Sequence, residues 1–434
     1  MNMVGDARPV PLGRRDFSVL SAGLSAGALG AAVSSGALAA AGPARAQSKG
    51  AHTAFQVAVG PELRRYEVDE AGLTLTAREA VTLPAAVQYA WQHPMLPILY
   101  VAYSNRGSTN DRHGVQAFRI GEGGALAALP QPLALDNRPI HLTVDPSGRF
   151  LLVAFNIPSE LRVHGLREDG TIGDAVRQAT PPDFGIYAHQ VRVAPSGRLV
   201  VLQTRGNDPT PTTKEDPGAI KVFRFHDGQL SDEVSVAENN GIGFGPRHVD
   251  FHPTLPRLYA AMERGNQILT YGVEDAGLSR HPLFAAGTVR GGAVLHLPVQ
   301  YAGAIHLHPD GRTVYVINRS DGTVEFNGTR VHGEGENSVA VFRLDARTGE
   351  PVLAQTADTR SYHCRTFAIH PEGRMLVTAS VAPLAERDGD TVRTVPARLT
   401  VFSVAGDGQL AFARTYDVET AGGAQMFWCG MVTA

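Results

Sequence analysis

Internal repetition constrains this chain more than any other feature. Seven segments share one alternation of apolar and polar residues: ELRRYEV at 62–68, GVQAFRI at 114–120, ELRVHGL at 160–166, AIKVFRF at 219–225, NQILTYGV at 266–273, SVAVFRL at 338–344 and ARLTVFSV at 397–404. Each runs into a turn rich in Asp, Glu or Gly and then an apolar residue. A period of two marks a strand with two unlike faces. A second repeated unit is a hairpin whose turn reads Pro-x-Gly-Arg at 146–149, 195–198, 309–312 and 371–374, with looser versions at Pro94 and Pro253. Proline fixes φ at the start of such a turn, and glycine supplies its φ > 0 position. Successive turn prolines stand 52, 49, 58, 56 and 62 residues apart, a longer period than the ~40–45 residues of a WD40 repeat.

Seven third strands imply seven blades, and the fold class is all-β: a seven-bladed β-propeller of four-stranded antiparallel blades. Only six hairpins accompany them, and the chain ends explain the difference. Residues 54–60 and 62–68 read as second and third strands with no first strand before them, while 425–432 reads as a first strand with no second after it. N- and C-terminal strands are therefore expected to close the ring within one blade. Each blade buries both faces against its neighbours, so most apolar positions need no functional explanation.

Residues 1–46 read as a leader and not as part of the ring. Arg14 and Arg15 precede Asp16 and Phe17, a weakly apolar run of Ala, Gly and Ser follows, and Ala44-Arg45-Ala46 supplies a small-residue cleavage site. That pattern predicts a twin-arginine signal peptide, the export machinery as a partner, and a periplasmic or secreted product starting at Gln47; the other reading of the segment is an uncleaved anchor. Removing four arginines and two aspartates with the leader leaves 35 basic and 40 acidic residues over 47–434, a net charge of about −5. Nothing in that balance marks a nucleic-acid surface, and no later run is apolar enough for stable membrane insertion. The two cysteines, Cys364 and Cys429, are too few for a disulfide framework and are expected as buried free thiols.

Aligning the hairpins on their prolines shows what departs from the repeat. Six residues before the proline stand Gln88, Ile140, His189, Arg247, Gly303 and Arg365; ten after it stand Ser104, Asn156, Arg205, Glu263, Arg319 and Val381. The two positions are equidistant from the turn, so they are expected opposite each other, all twelve ringing one mouth of the channel. Four arginines and a histidine converging there suit an anion or a polarised carbonyl. His141, His248 and His306 have the opposite strand parity and read as inter-blade packing residues with one structural hydrogen bond each. Long connections at 206–218, 281–301, 320–337 and 382–396 leave from the same rim, and 209–213 and 333–336 look mobile enough to act as lids.

Three stretches, GPRHVDFHP at 245–253, YAHQ at 187–190 and IHLHPDGR at 305–312, resemble the family of seven-bladed propellers that includes bacterial 6-phosphogluconolactonases and fungal carboxy-muconate cyclases. The resemblance covers essentially the whole chain after the leader. It implies that His189, Arg247, Glu263 (in MERGN) and Arg319 (in INRS) are the catalytic set; Arg205, Arg365 and Asn156, which share the aligned mouth positions, are expected to bind substrate. The expected activity is hydrolysis of a sugar-type lactone, with His189 as general base, Arg247 and Arg319 on the oxyanion or on a substrate carboxylate, and Glu263 orienting one of them or itself acting as base. Neither cofactor nor metal is expected. A muconate-type cycloisomerase acting on an organic acid, and a non-catalytic binding or scaffold propeller, are the other functions such a chain could serve.

Overall fold

The computed structural model describes residues 53–434 except 107–110, 276 and 293–299; the leader lies outside the described residues. Seven antiparallel sheets follow one another along the chain, and we number the blades 1–7 in that order. Blade 1 is the closing blade: the C-terminal strand Cys429–Thr433 lies innermost, paired with Thr53–Val59, then Glu62–Asp69 and Thr74–Thr82. Its register runs from Thr53 opposite Thr433 to Val57 opposite Cys429, so the terminal closure expected from the repeat count is present.

The first two strands of each remaining blade form the Pro-turn hairpin. They are Val87–Gln92 and Ile98–Ser104 in blade 2, Pro139–Val144 and Phe150–Asn156 in blade 3, and Ala188–Val193 and Leu199–Thr204 in blade 4. Pro246–Phe251 and Arg257–Met262 begin blade 5, Gln300–Leu307 and Thr313–Ser320 blade 6, and Cys364–Ile369 and Met375–Ser380 blade 7. The turn glycines Gly148, Gly197, Gly311 and Gly373 adopt φ between 69° and 79°, the left-handed conformation their sequence position calls for.

Packing follows the modular pattern. Buried apolar residues fall into seven clusters, one at each interface between successive blades. Polar staples cross several of those interfaces. Tyr100, Tyr259 and Tyr315, on second strands, donate to the carbonyls of Gly170, Gly349 and Gly408 in the outer hairpin of the following blade at 2.8, 2.8 and 2.9 Å. The histidine just before a turn proline does related work: His252 Nδ1 accepts from the backbone N–H of Thr254 and Leu255, which leaves Nε2 to donate to Gly311 O at 2.8 Å. His93 and His308 reach Gly148 O and Gly373 O in the same way.

Four connections differ from their sequence reading. Segment 281–301 contains strand Phe284–Gly287, which pairs with Gln267–Glu274 and completes the outer edge of blade 5. The connections at 320–337 and 382–396 fold into β-hairpins, Thr323–Phe326 with Thr329–His332 and Leu384–Asp388 with Thr391–Val395. Nor does 206–218 hang free as a lid. Asp208 pairs with both Arg205 and Arg264, and Glu215 with Arg264 while accepting from Gly243 N–H. Cys364 and Cys429 are buried free thiols.

Candidate active site

The mouth of the channel is shaped by a defect repeated in every hairpin. Residues 188 and 190 pair with 204 and 203, so His189 is the extra residue of a β-bulge. Gln88, Ile140, Arg247 and Arg365 are the extra residues at the equivalent place in blades 2, 3, 5 and 7, and in blade 6 the register slips across Gly303 and Ala304. A bulge breaks the alternation and re-aims one side chain. The position ten after the proline is therefore not opposite the position six before it. It is opposite the residue eight before, as in Arg205 N–H to Tyr187 O and Glu263 N–H to Gly245 O, both 3.0 Å.

Residues from these positions wall a cavity of about 610 Å³. His189, Arg205, Glu263, Arg319 and Arg365 all line it. Two of the sequence-derived candidates do not. Arg247 is 1% exposed and sits behind the wall, pointing at Glu263. Asn156 ends its strand in an immediate two-residue turn into Ser159–Leu166 and takes no part in the wall; bulge residue Ile140 stands there instead.

Glu263 is the hub of the charge network. One carboxylate oxygen accepts from Arg319 Nη2 and lies 3.1 Å from Arg247 Nε, and the other accepts from Arg205 Nε. Burial alone would raise its pKa, but the charges of Arg319, Arg247 and Arg205 outweigh burial and hold it down to about 2. The carboxylate is a fixed counter-charge joining blades 4, 5 and 6. His189 is the reverse case. Burial, then the positive charges of Arg247, Arg365, Arg205 and Arg319, keep its imidazole well below its usual pKa, so it is neutral at ordinary pH with Nδ1 sealed and unpartnered by any described residue.

A second histidine, missed from sequence, lines the same cavity. His363 Nε2 accepts from Arg319 Nη1 at 3.2 Å, which occupies its lone pair and places the ring proton on Nδ1, 3.4 Å from Asp321. Burial and Arg319 push its pKa down to about 3. Other wall residues missed were Arg106, Arg138, Tyr187, Tyr301, Tyr362 and Phe427. A signal for several existed in the same alignment: eight before the proline stand Arg138, Tyr187, Gly245, Tyr301 and His363. Tyr187, Gly245 and His363 have φ of 60°, 44° and 51°, a left-handed kink that turns the chain into the bulge and is costly for a bulky residue.

His141 and His248 are buried but do not simply pack between neighbouring blades as expected: His141 of blade 3 and Tyr89 of blade 2 both meet His248 of blade 5, at 5.9 and 6.4 Å between ring centres, so the rings gather across the ring of blades, with His141 also 3.8 Å from Tyr89 and His248 5.2 Å from His189. The expected structural hydrogen bond is missing for His141, whose two ring nitrogens have no partner among the described residues. Burial keeps His141 and His248 well below the usual histidine pKa. Among the described residues, no three His, Cys, Asp or Glu side chains come together as a set that could hold a metal ion.

The fold and this cavity define a seven-bladed propeller with a ligand-sized, arginine-rich recess at one mouth. The chain belongs to the family described as lactonase, 7-bladed beta-propeller, whose model matches residues 50–394. It is 27% identical over 298 residues to the 6-phosphogluconolactonase of Bacillus subtilis, covering 64% of this chain and 75% of that one. It is 23% identical over 326 residues to the 6-phosphogluconolactonase of Yersinia pestis, covering 67% and 89%. Among solved structures, the periplasmic gluconolactonase of Pseudomonas aeruginosa superposes with a TM-score of 0.65 at 20% identity, over 87% of this chain and 99% of that one. A putative 6-phosphogluconolactonase from Bacteroides fragilis gives the same score at 19% identity, over 91% and 100%. At those identities the structural likeness bears on the fold.

Proposed function

We propose that this protein is an exported lactonase that opens a sugar-type lactone by metal-independent hydrolysis, with His189 as general base. The observation that carries the reading is the pairing, in one recess, of a neutral imidazole with arginines already fixed in place by a buried carboxylate. Membership of the lactonase family and the names of the relatives support it.

The chemistry follows from the geometry. A water held by His189 attacks the lactone carbonyl carbon and gives its proton to the imidazole; the carbonyl oxygen becomes an oxyanion facing Arg319 and Arg205. When the ring C–O bond breaks, the imidazolium returns the proton to the departing alkoxide. The product is a hydroxy acid, whose carboxyl group then ionises. Burial, with the arginine field, makes His189 a weak base but makes its conjugate acid strong, which favours the second proton transfer. Glu263 acts as a positioning residue, because a carboxyl held near 2 by three arginines is a poor proton acceptor. Arg247 secures Glu263 from behind.

Replacing His189 with Gln tests the assignment. Turnover of sugar lactones is expected to fall by about 10²–10⁴ with the melting temperature nearly unchanged; full activity in H189Q would remove His189 from the mechanism. The export half of the reading rests on Arg14, Arg15 and the site after Ala46. R14K/R15K should retain the protein in the cytoplasm, whereas the exported wild-type chain should begin at Gln47. A wild-type chain recovered with residues 1–46 attached would favour an anchor.

A further inference from the structure

The arginines of the cavity fall into two groups, and only one is neutralised. Arg205, Arg247 and Arg319, from blades 4, 5 and 6, share Glu263, and Arg205 also holds Asp208. Arg106 follows the second strand of blade 2, Arg138 precedes the first strand of blade 3, and Arg365 is the bulge residue of blade 7. All three line the same cavity, and none has a carboxylate within ion-pair distance among the described residues. The cations of Arg106 and Arg365 both lie over the ring of Phe427, at 4.2 and 4.9 Å from its centroid. Arg138 Nε donates to Gln88 Oε1 at 2.9 Å, while the Gln88 amide donates to Ala86 O. An aromatic face and a neutral amide orient guanidiniums without cancelling their charge.

Most other covered cations of this molecule are paired with carboxylates, Arg192 with Asp250 at 2.9 Å, Arg162 with Glu160 at 2.6 Å, Lys221 with Asp183 at 2.6 Å and Glu233 at 2.9 Å, whereas half-buried Arg257 donates to the carbonyls of Thr348 and Pro256. The cavity wall carries five arginines against two carboxylates, Glu263 and Asp321. The cost of the crowding falls on Arg365, pushed down to about 9 by burial and by its neighbours Arg319, Arg138 and Arg106, with Glu263 opposing. Removing charge from water without a partner is expensive, and that cost falls on the half-buried Arg138 and Arg365, while Arg106 stands exposed at the edge of the group.

We propose that Arg106, Arg138 and Arg365, gathered around Phe427, form a binding subsite for an oxyanion, a carboxylate or phosphate that the substrate carries at the end remote from its lactone carbonyl. This rests on reading the Glu263 side of the cavity as the place where the lactone is opened. The cavity is then polarised: blades 4–6 hold the reacting carbonyl, and blades 7, 2 and 3, with the segment entering the closing strand, hold the anionic tail. Guanidinium forks match the planar oxygen pairs of carboxylates and the oxygens of phosphates. Neutral lactones would reach the carbonyl site without this anchor, and KM would carry most of the difference.

The test uses the full-length exported protein and three lactones: glucono-δ-lactone, its 6-phosphate and a glucarolactone bearing a free carboxylate. In the wild type, kcat/KM should be at least tenfold higher for one or both acidic lactones than for the neutral one, and which acid gains identifies the tail. In R106Q and R138Q the acidic-to-neutral ratio should fall at least tenfold, mostly through KM. A ratio that moves by less than twofold in both variants overturns the subsite. If the wild type opens none of the three, the lactone reading fails on its own, and calorimetric titration with inorganic phosphate and with citrate decides the subsite. Binding lost in R138Q supports it, and equal binding in both proteins overturns it.

Discussion

Arg247 and Glu263 form an ion pair sealed from solvent: Nε lies 3.1 Å from Oε1, and the two side chains are 1% and 7% exposed. Both come from one hairpin, the arginine from the bulge of its first strand and the glutamate from just past its second, so the pair is assembled locally and then joined by Arg205 and Arg319 from the flanking blades. One carboxylate thus neutralises charge contributed by three consecutive blades. Its removal has consequences for both stability and chemistry.

Replacing Glu263 with Gln leaves three guanidiniums facing one another in a covered site. Breaking a buried pair from one side typically costs about 3–5 kcal/mol. Urea denaturation of E263Q should show a loss of that order, and E263Q/R247Q should be less destabilised than the sum of the two single variants, because the second change removes the charge the first one stranded. Strict additivity would mean that the two residues do not act as a pair.

The same carboxylate sets an acid limit. Its pKa is lowered from an ordinary 4.5 to about 2 in the fold, so it contributes stability that is complete above about 4.5 and is lost as the pH falls toward 2. His141, His189 and His248 act at higher pH in the same direction. They are buried in their neutral form, and below 6.5 the unfolded chain takes up protons that the folded one cannot. Urea midpoints measured from pH 8 to 3 should therefore decline in two stages, one beginning below 6.5 and a second below 4.5. The second stage should be smaller in E263Q, where carboxylates such as Asp183 and Asp310, also held below their ordinary pKa, remain. A midpoint constant from pH 8 to 4 would contradict the buried neutral histidines.

Because kcat/KM reports the free protein's ionisations, the depressed His189 pKa has a kinetic counterpart. The acid limb of kcat/KM should lie well below pH 6.5, leaving the profile flat from about 6 to 8. An acidic lactone that fills the positive end of the cavity would offset part of the arginine field, so the acid limb of kcat should sit higher than that of kcat/KM. Measuring both profiles with one acidic lactone checks this; a limb centred at 6.5 in both would mean that the arginines do not act on the base.

The ring was legible in the sequence because a propeller repeats its local signals. Period-two strands, Pro-x-Gly turns and unmatched end strands each survive in single residues such as Gly148 and Gly197. The mouth was only partly legible, because its geometry depends on a bulge that leaves no residue signature. Counting from the proline found His189, Arg205, Glu263, Arg319 and Arg365, since equivalent positions stay equivalent whatever the local backbone does. It misjudged which positions face each other, and so passed over Tyr187, Tyr301 and His363 two residues upstream. Arg247 shares the position of His189 yet ends behind the wall, because Glu263 in its own hairpin draws it inward. Arg106 and Phe427 lie outside the repeated hairpin altogether, where alignment on the turn has nothing to align.

The tyrosine staples offer a test of how independent the blades are. Tyr100, Tyr259 and Tyr315 are each fully buried, and each gives its hydroxyl proton to a glycine carbonyl in the next blade. Phenylalanine keeps the ring and its packing but strands the carbonyl, which should cost about 1–3 kcal/mol per site. The three bonds cross three different interfaces, between blades 2 and 3, 5 and 6, and 6 and 7. If stability is a sum of nearest-neighbour terms, as expected of a repeat architecture, Y100F and Y259F should add within about 0.5 kcal/mol. Y259F and Y315F both act on blade 6 and should couple more strongly. Closure by Cys429–Thr433 works against strict independence, since opening any one interface breaks the ring. A double variant Y100F/Y259F that loses far more than the sum of its parts would show that the ring unfolds as one unit, with the terminal strand carrying the coupling.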